Sequence, residues 1–277
     1  QRQMCIRDRW SVAGKNAATA DLASANAYAS VDHNGVVTGK KIGNATIVAV
    51  YQGQKIKRKI HIAGKKKIAL DAGHQSRGDS RKEPVGPGSS VRKARVAGGA
   101  TGVASRVPEY KFTLSVAKRL QKELKKRGYE VYMVRTKNNV NISNKKRAML
   151  ANKSGADIYI RIHGDSSGSR GVKGASIFYP SARNPYVSRL SRSSKRLSKK
   201  LLNAYCKKTG IKKRGCSGRD DLTGTNWSKI PVTLIECGFL SNPEEEVLLC
   251  TEAYQEKTAW AISVGILRYL NEKTGNR

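Results

Sequence analysis

Three short runs constrain this chain more than anything else in it. They read Lys67-Ile-Ala-Leu-Asp-Ala-Gly-His74, Ile158-Tyr-Ile-Arg-Ile-His163-Gly and Pro231-Val-Thr-Leu-Ile-Glu236. Each is a strand-like stretch of mainly apolar residues closed by a side chain with chemistry. The third is almost wholly apolar, which predicts a central strand buried on both faces. The chain has only four histidines, and two of them stand at matching strand ends. In an open α/β sheet, ligands and catalytic groups collect at the carboxyl ends of strands. The pattern therefore predicts a metal site with an acid–base carboxylate beside it.

At 277 residues the chain is long enough for one sizeable core and a small additional module. No apolar run approaches the length needed to span a bilayer. Residues 1–9 are mostly polar and fit poorly with the β-rich pattern that begins after them. They are expected to be a non-native or disordered tail, on a chain cut from a longer reading frame whose export signal lies upstream. The net charge is +34, from 54 Lys and Arg against 20 Asp and Glu, and residues 166–219 contain no acidic residue. Such a field favours a polyanionic partner: nucleic acid, anionic lipid or a cell-wall polymer. A solvated lysine-rich face is the plainer account of the same charge. The five cysteines show no CxxC spacing, so neither a disulfide framework nor a zinc ribbon is expected. A Cys206–Cys216 bridge is left open.

The chain changes character near residue 64. Residues 10–63 are short alternating runs broken by turn signals such as Asn34-Gly35, which predicts a small all-β unit. The run Gly35-Val-Val-Thr-Gly39, followed by Gly43-Asn-Ala-Thr-Ile47, resembles the bacterial Ig-like domain of the second type, with its first strands missing. That resemblance implies a spacer or adhesive module. His33 is expected in a turn and His61 on an exposed strand, neither as a ligand. Residues 64–66 read as a linker. From 67 to 277, strands alternate with helical stretches at 109–127, 141–154, 184–209 and 253–271. This alternation predicts an α/β fold with a mixed, mostly parallel sheet flanked by helices on both faces. Residues 78–102 have no clear period and are expected to form a long loop bordering the site.

A catalytic zinc site takes three protein ligands and leaves one position open. His74 and His163 are two candidates. Glu109, after Pro108 at the start of the first long helix, is the third; a carboxylate there is also favoured by the helix dipole alone. Glu236 reads either as a general base or as a structural carboxylate paired with an arginine.

Asp71-Ala-Gly-His74, Pro108-Glu109-Tyr, Ile160-Arg-Ile-His163 and Val232-Thr-Leu-Ile-Glu236-Cys-Gly-Phe-Leu-Ser-Asn-Pro243 occur in that order. Together they resemble the catalytic domain of the zinc-dependent N-acetylmuramoyl-L-alanine amidases. Arg135-Thr136 and the helix over 143–151 fall where that family has further motifs. The resemblance implies Zn2+ held by His74, Glu109 and His163, with Glu236 as the catalytic residue. It implies peptidoglycan as substrate, cut at the amide joining N-acetylmuramic acid to L-alanine of the stem peptide. It further implies an extracellular or cell-wall enzyme, for which anionic wall polymers are a partner suited to the basic surface (the 184–209 helix included); the residues do not fix an oligomeric state, and a monomer is expected. Two positions depart from the pattern: Gly-Asp-Ser follows His163 where Ala and Asn are common, and Cys237 replaces an aliphatic residue. Cys237 is expected as a packed apolar side chain, and Asp71 as a support orienting a histidine or the loop. The competing readings are a zinc peptidase acting within the stem peptide and a non-catalytic wall-binding protein. A nucleic-acid binder is disfavoured by the scarcity of Phe and Trp and the absence of a recognition motif.

Overall fold

The structure, a computed structural model, describes residues 28–32, 36–41, 43–51, 54–62, 64 and 66–271. The expected tail at 1–9 and the turn holding His33 lie outside these, as does the side chain of His61. The chain divides into two compact units, one built from residues 1–65 with 126–129 and the other from the remainder.

The described part of residues 1–65 is mostly strand. β1 (Ala29–Val31) pairs antiparallel with β2 (Val37–Gly39), and β3 (Gly43–Tyr51) with β4 (Gln54–Ile62). Ala29 and Ala45 are buried there, with Val37, Ile47 and Ile60 packed around them.

The second unit opens with β5 (Lys67–Ala72), then β6 (Asp79–Pro84) and β7 (Arg92–Val96). α1 (Glu109–Lys126), β8 (Glu130–Met133), α2 (Asn144–Lys153), β9 (Ile158–Asp165) and β10 (Ala175–Tyr179) follow. The chain closes with α3 (Ser191–Thr209), β11 (Lys213–Gly218), α4 (Thr223–Asn226), β12 (Val232–Phe239), α5 (Pro243–Cys250) and α6 (Glu252–Leu270). Six strands form one sheet in the order β11-β10-β12-β9-β5-β8. All neighbours are parallel except β10 and β12. The sheet is thus mixed and mostly parallel. β12, the most apolar run, lies inside it, because only an interior strand buries both of its faces.

Helices cover both faces. Ala148 and Ala151 of α2 pack on Ala69, Tyr159 and Val232. Thr233, the next residue of β12, leaves by the opposite face and hydrogen-bonds Ser198 of α3 at 2.8 Å. Among the described residues no helix is long and apolar enough to cross a membrane.

Local chemistry sets the ends. Ser143 caps α2 by accepting from the Lys146 N–H, so that helix starts later than the Asn141 expected from sequence. α3 ends at Gly210, whose φ of 81° is the left-handed conformation glycine tolerates. The 184–209 helix is also shorter than expected: a 3-10 turn (Ser188–Leu190) precedes Ser191. Asn184 explains why, since its side-chain oxygen accepts from the N–H groups of Tyr186 and Val187 and holds a turn. The expected 78–102 loop contains an antiparallel hairpin, β6 with β7. Its arginine- and lysine-rich strands hid the alternation.

Candidate metal centre and its neighbours

β5 ends in a turn that has no room for a side chain at Gly73. A Cβ on Gly73 would sit 2.4 Å from the His163 ring, so glycine is required there. His74 follows with φ 57°, a left-handed backbone that costs a non-glycine residue on the order of 1–3 kcal/mol. Three side chains hold the turn. Arg147 donates to the carbonyls of Ala72 and His74, each at 2.8 Å. Arg135 donates to Ala72 O at 2.8 Å and Gly73 O at 3.0 Å, and the Thr113 hydroxyl donates to Gly73 O at 2.8 Å.

Behind the turn lies a buried polar lattice. Asp71 accepts from Arg147 at 2.7 Å, Tyr159 at 2.8 Å and Arg161 at 3.1 Å. Burial opposes the Asp71 charge, but the two guanidiniums hold its carboxyl well below the ordinary aspartate range. Asp71 therefore supports the loop, as expected, and does so through Arg147.

His74, Glu109 and His163 converge in front of the turn. His74 Nδ1 lies 2.8 Å from the Ala97 carbonyl, which only accepts, so that nitrogen carries the proton. Its Nε2 lies 3.2 Å from Glu109 Oε1 and 3.1 Å from His163 Nδ1. His163 Nδ1 is 3.0 Å from the same Glu109 oxygen. Glu109 is the first residue of α1 and is buried. Its Oε1 accepts from the Gly164 N–H at 3.0 Å and its Oε2 from Ala100 at 2.8 Å. Gly99, with φ 84°, closes the far side, since a Cβ there would meet the His74 ring at 2.9 Å. The 78–102 segment thus borders the site through Ala97, Gly99 and Ala100.

This donor set fits zinc. Ligands at 2.0–2.1 Å from a tetrahedral ion lie about 3.3 Å apart, close to the spacings here. The electrostatics agree. Burial alone would raise the Glu109 pKa, but hydrogen bonds from His163 and His74 hold it far below the carboxylate range. Burial holds His163 down to about 4, against the pull of Glu109, so its ring is neutral at pH 7. Burial also disfavours charge on His74, but its contact with Glu109 outweighs that and raises its pKa.

Glu236 is the cross-strand partner of His163 in the parallel β12–β9 ladder. The register shifts just after it, between Glu236 and Phe239, as a bulge does when it re-aims a strand end. Its Oε2 is buried without a hydrogen-bond partner. Burial, then the nearby charges of Glu109 and Asp165, push its carboxyl well above the ordinary range, against Arg161 and Arg219. The paired-carboxylate alternative is thus not what the structure contains: among the described residues no arginine bonds it. Cys237 beside it is fully buried, and Cys206 and Cys216 are free thiols.

The lattice of Arg135, Arg147, Arg161, Tyr159 and Thr113 was not assigned a role from sequence. Arg161 leaves a signal, as one cation inside the apolar run Ile160-Arg-Ile162. Arg147 leaves none in composition, because it sits beside Lys145 and Lys146 in a basic helix; its one signal is the family motif on which that helix falls.

The profile of the N-acetylmuramoyl-L-alanine amidase family matches residues 68–268. The chain belongs to the N-acetylmuramoyl-L-alanine amidase family. The germination-specific N-acetylmuramoyl-L-alanine amidase of Bacillus subtilis is 35% identical over 191 residues, 64% of this chain and 76% of that protein. The probable cell wall amidase LytH of Staphylococcus aureus is 26% identical over 179 residues, 63% of this chain but only 56% of its own length. Among solved structures, the amidase Ami1 of Mycobacterium smegmatis superposes with a TM-score of 0.68 at 26% identity, over 75% of this chain and 98% of that one. The CwlD amidase of Clostridioides difficile, solved in complex with the GerS lipoprotein, gives 0.60 at 27% identity, over 75% of this chain and 100% of that one. The amidase match covers the six-stranded sheet and its helices.

Proposed function

We propose that this amidase is a zinc-dependent peptidoglycan hydrolase, which cleaves the amide between the lactyl group of N-acetylmuramic acid and L-alanine of the stem peptide. The observation that carries the reading is the convergence of three metal-type donors with a half-buried carboxylate on the adjoining strand, whose Oε2 is buried without a hydrogen-bond partner. His74 Nε2, Glu109 Oε1 and His163 Nδ1 would hold the ion. Zinc, when bound, supplies polarisation of the amide carbonyl, stabilisation of the developing oxyanion, and a lowered pKa for water.

The chain's own residues do the rest. Arg147, Arg135 and Thr113 fix the turn that aims His74. The Ala97 carbonyl keeps the His74 proton on Nδ1. Glu236 takes a proton from the attacking water and passes it to the leaving amine of L-alanine as the C–N bond breaks. Its freedom from ion pairing suits both halves of that task.

The same reading makes the protein extracellular or wall-associated, and its charge a means of concentrating it on anionic wall polymers. Residues 10–63 fit an Ig-like spacer.

The test is digestion of purified muropeptides, with and without a chelator, followed by mass spectrometry. The expected products are free glycan and intact stem peptides with an N-terminal L-alanine, formed only without chelator. Cleavage inside the stem would identify a peptidase instead. Intact muropeptides with zinc-loaded protein would remove the catalytic reading.

A further inference from the structure

The helix cover over the sheet is incomplete beside Glu236. Alternation along β10 sends Ile177 to the face that α3 covers, and Ser176 and Phe178 to the other face. On that second face Ser176 lies beside Glu236, and Phe178 beside Leu234. On its other flank Ser176 meets Gly215 of β11, and Phe178 meets Ser217. Ser176 and Phe178 are half-buried and Ser217 is exposed. A groove of about 480 Å³ runs over this face, lined by Asp165, Ser176, Phe178, Lys212, Arg214 and Phe239 among others.

The groove has a distinct chemistry. Two guanidiniums lie over its rings: Arg214 at 5.2 Å from the centre of Phe239, and Arg219 at 5.0 Å from Phe178. Arg219 is engaged, donating to both carboxylate oxygens of Asp221 at 2.9 and 2.7 Å. Arg214 is exposed, forms no ion pair among the described residues, and makes one long contact of 3.4 Å to the Lys173 carbonyl. A planar cation resting on an aromatic face, with its donors free, is built to take an oxyanion in two-point fashion.

Distance selects which oxyanion. The backbone beside Arg214 is two strand spacings from Glu236, about 10 Å. An extended peptide advances roughly 3.5 Å per residue. A guanidinium on its flexible stem closes part of that gap. The substrate group it meets therefore belongs to the first residues after the scissile amide. The glycan is uncharged along its backbone, whereas the stem peptide carries free carboxylates.

We propose that Arg214, supported by Lys212, binds a stem-peptide carboxylate on the residue following L-alanine, and so makes this enzyme select stems in which that carboxyl is free rather than amidated. The inference rests on the peptidoglycan reading. It assigns Arg214 to specificity and leaves the bond-breaking step to the groups described above.

The experiment compares two muramoyl peptides that differ only in a free or amidated carboxyl on the second residue. With zinc-loaded protein, kcat/KM should favour the free acid by about tenfold, the scale of one charge-assisted hydrogen bond near solvent. In R214Q the ratio should collapse toward one, and R214K should recover part of it. Calorimetry of the released acidic dipeptide should give a Kd weakened by a similar factor in R214Q, with no need for turnover. Equal rates on both substrates in the wild type, or a ratio unchanged in R214Q, would overturn the assignment while leaving the amidase reading intact. Arg214-dependent dipeptide binding without hydrolysis of either substrate would uphold the assignment and overturn the amidase reading. Arg214 is exposed on an edge strand, so loss of fold is not expected; circular dichroism of R214Q checks this.

Discussion

The two flanks of the paired strands β9 and β12 differ in kind. On the β5 side, charge is buried and matched: Asp71 meets two arginines and a tyrosine, and Arg147 meets three further oxygens in the turn that carries His74. On the β10 side, two polar groups are left unmatched. Glu236 keeps a buried oxygen without a partner, and Arg214 lies open. The first flank fixes position and the second keeps chemistry available. One side chain cannot do both, because a hydrogen-bonded carboxylate is a poorer base and an ion-paired arginine a poorer receptor.

The largest effect should come from breaking the matched flank. Arg147→Met leaves Asp71 buried with fewer partners and releases the His74 turn. Stability should fall by about 3–5 kcal/mol in chemical denaturation. A loss below about 1 kcal/mol would mean that the lattice is not what holds the turn. Acid should attack this flank late. The Asp71 pKa is depressed in the folded state, so its contribution is complete above the ordinary aspartate range. It is lost only as pH falls through the lowered folded value.

Glu236→Gln tests the unmatched flank. Zinc affinity, measured by competition with a chromophoric chelator, should be close to that of the wild type, while kcat falls by roughly 10²–10⁴-fold. Lost zinc together with lost turnover would make Glu236 part of the ion's cradle and erase the contrast. The smallest effect belongs to the solvent-exposed pair Lys93–Asp221, which is 44% and 47% exposed. Lys93→Ala should cost less than about 1 kcal/mol by the same denaturation assay, setting the floor against which Arg147 is read.

Legibility in the sequence divides along the same line. The strand-end residues His74, His163 and Glu236 were legible because an apolar run that stops at a polar residue marks both the strand and its end. By position alone Glu109 was legible as a helix-start acid, and only the family resemblance made it a ligand; its convergence with two residues from other strands is a tertiary fact. The hairpin β6–β7 was illegible because charged side chains occupy both of its faces. β11 was missed because Lys213-Arg-Gly-Cys-Ser-Gly218 has neither alternation nor branching. Its strand conformation comes from pairing with β10. Arg147 was legible only through the family motif of its helix: among so many cations, a buried arginine resembles its solvated neighbours.

β11 has one more consequence. It is the outermost strand of the sheet on its side, and among the described residues its outer backbone groups have no strand to pair with. An exposed edge of this kind is an invitation to another chain. Lys213 and Arg214 are both exposed on it. Two copies approaching edge to edge would press like charges together. The cations at this rim thus oppose the pairing of that edge with a second copy of itself.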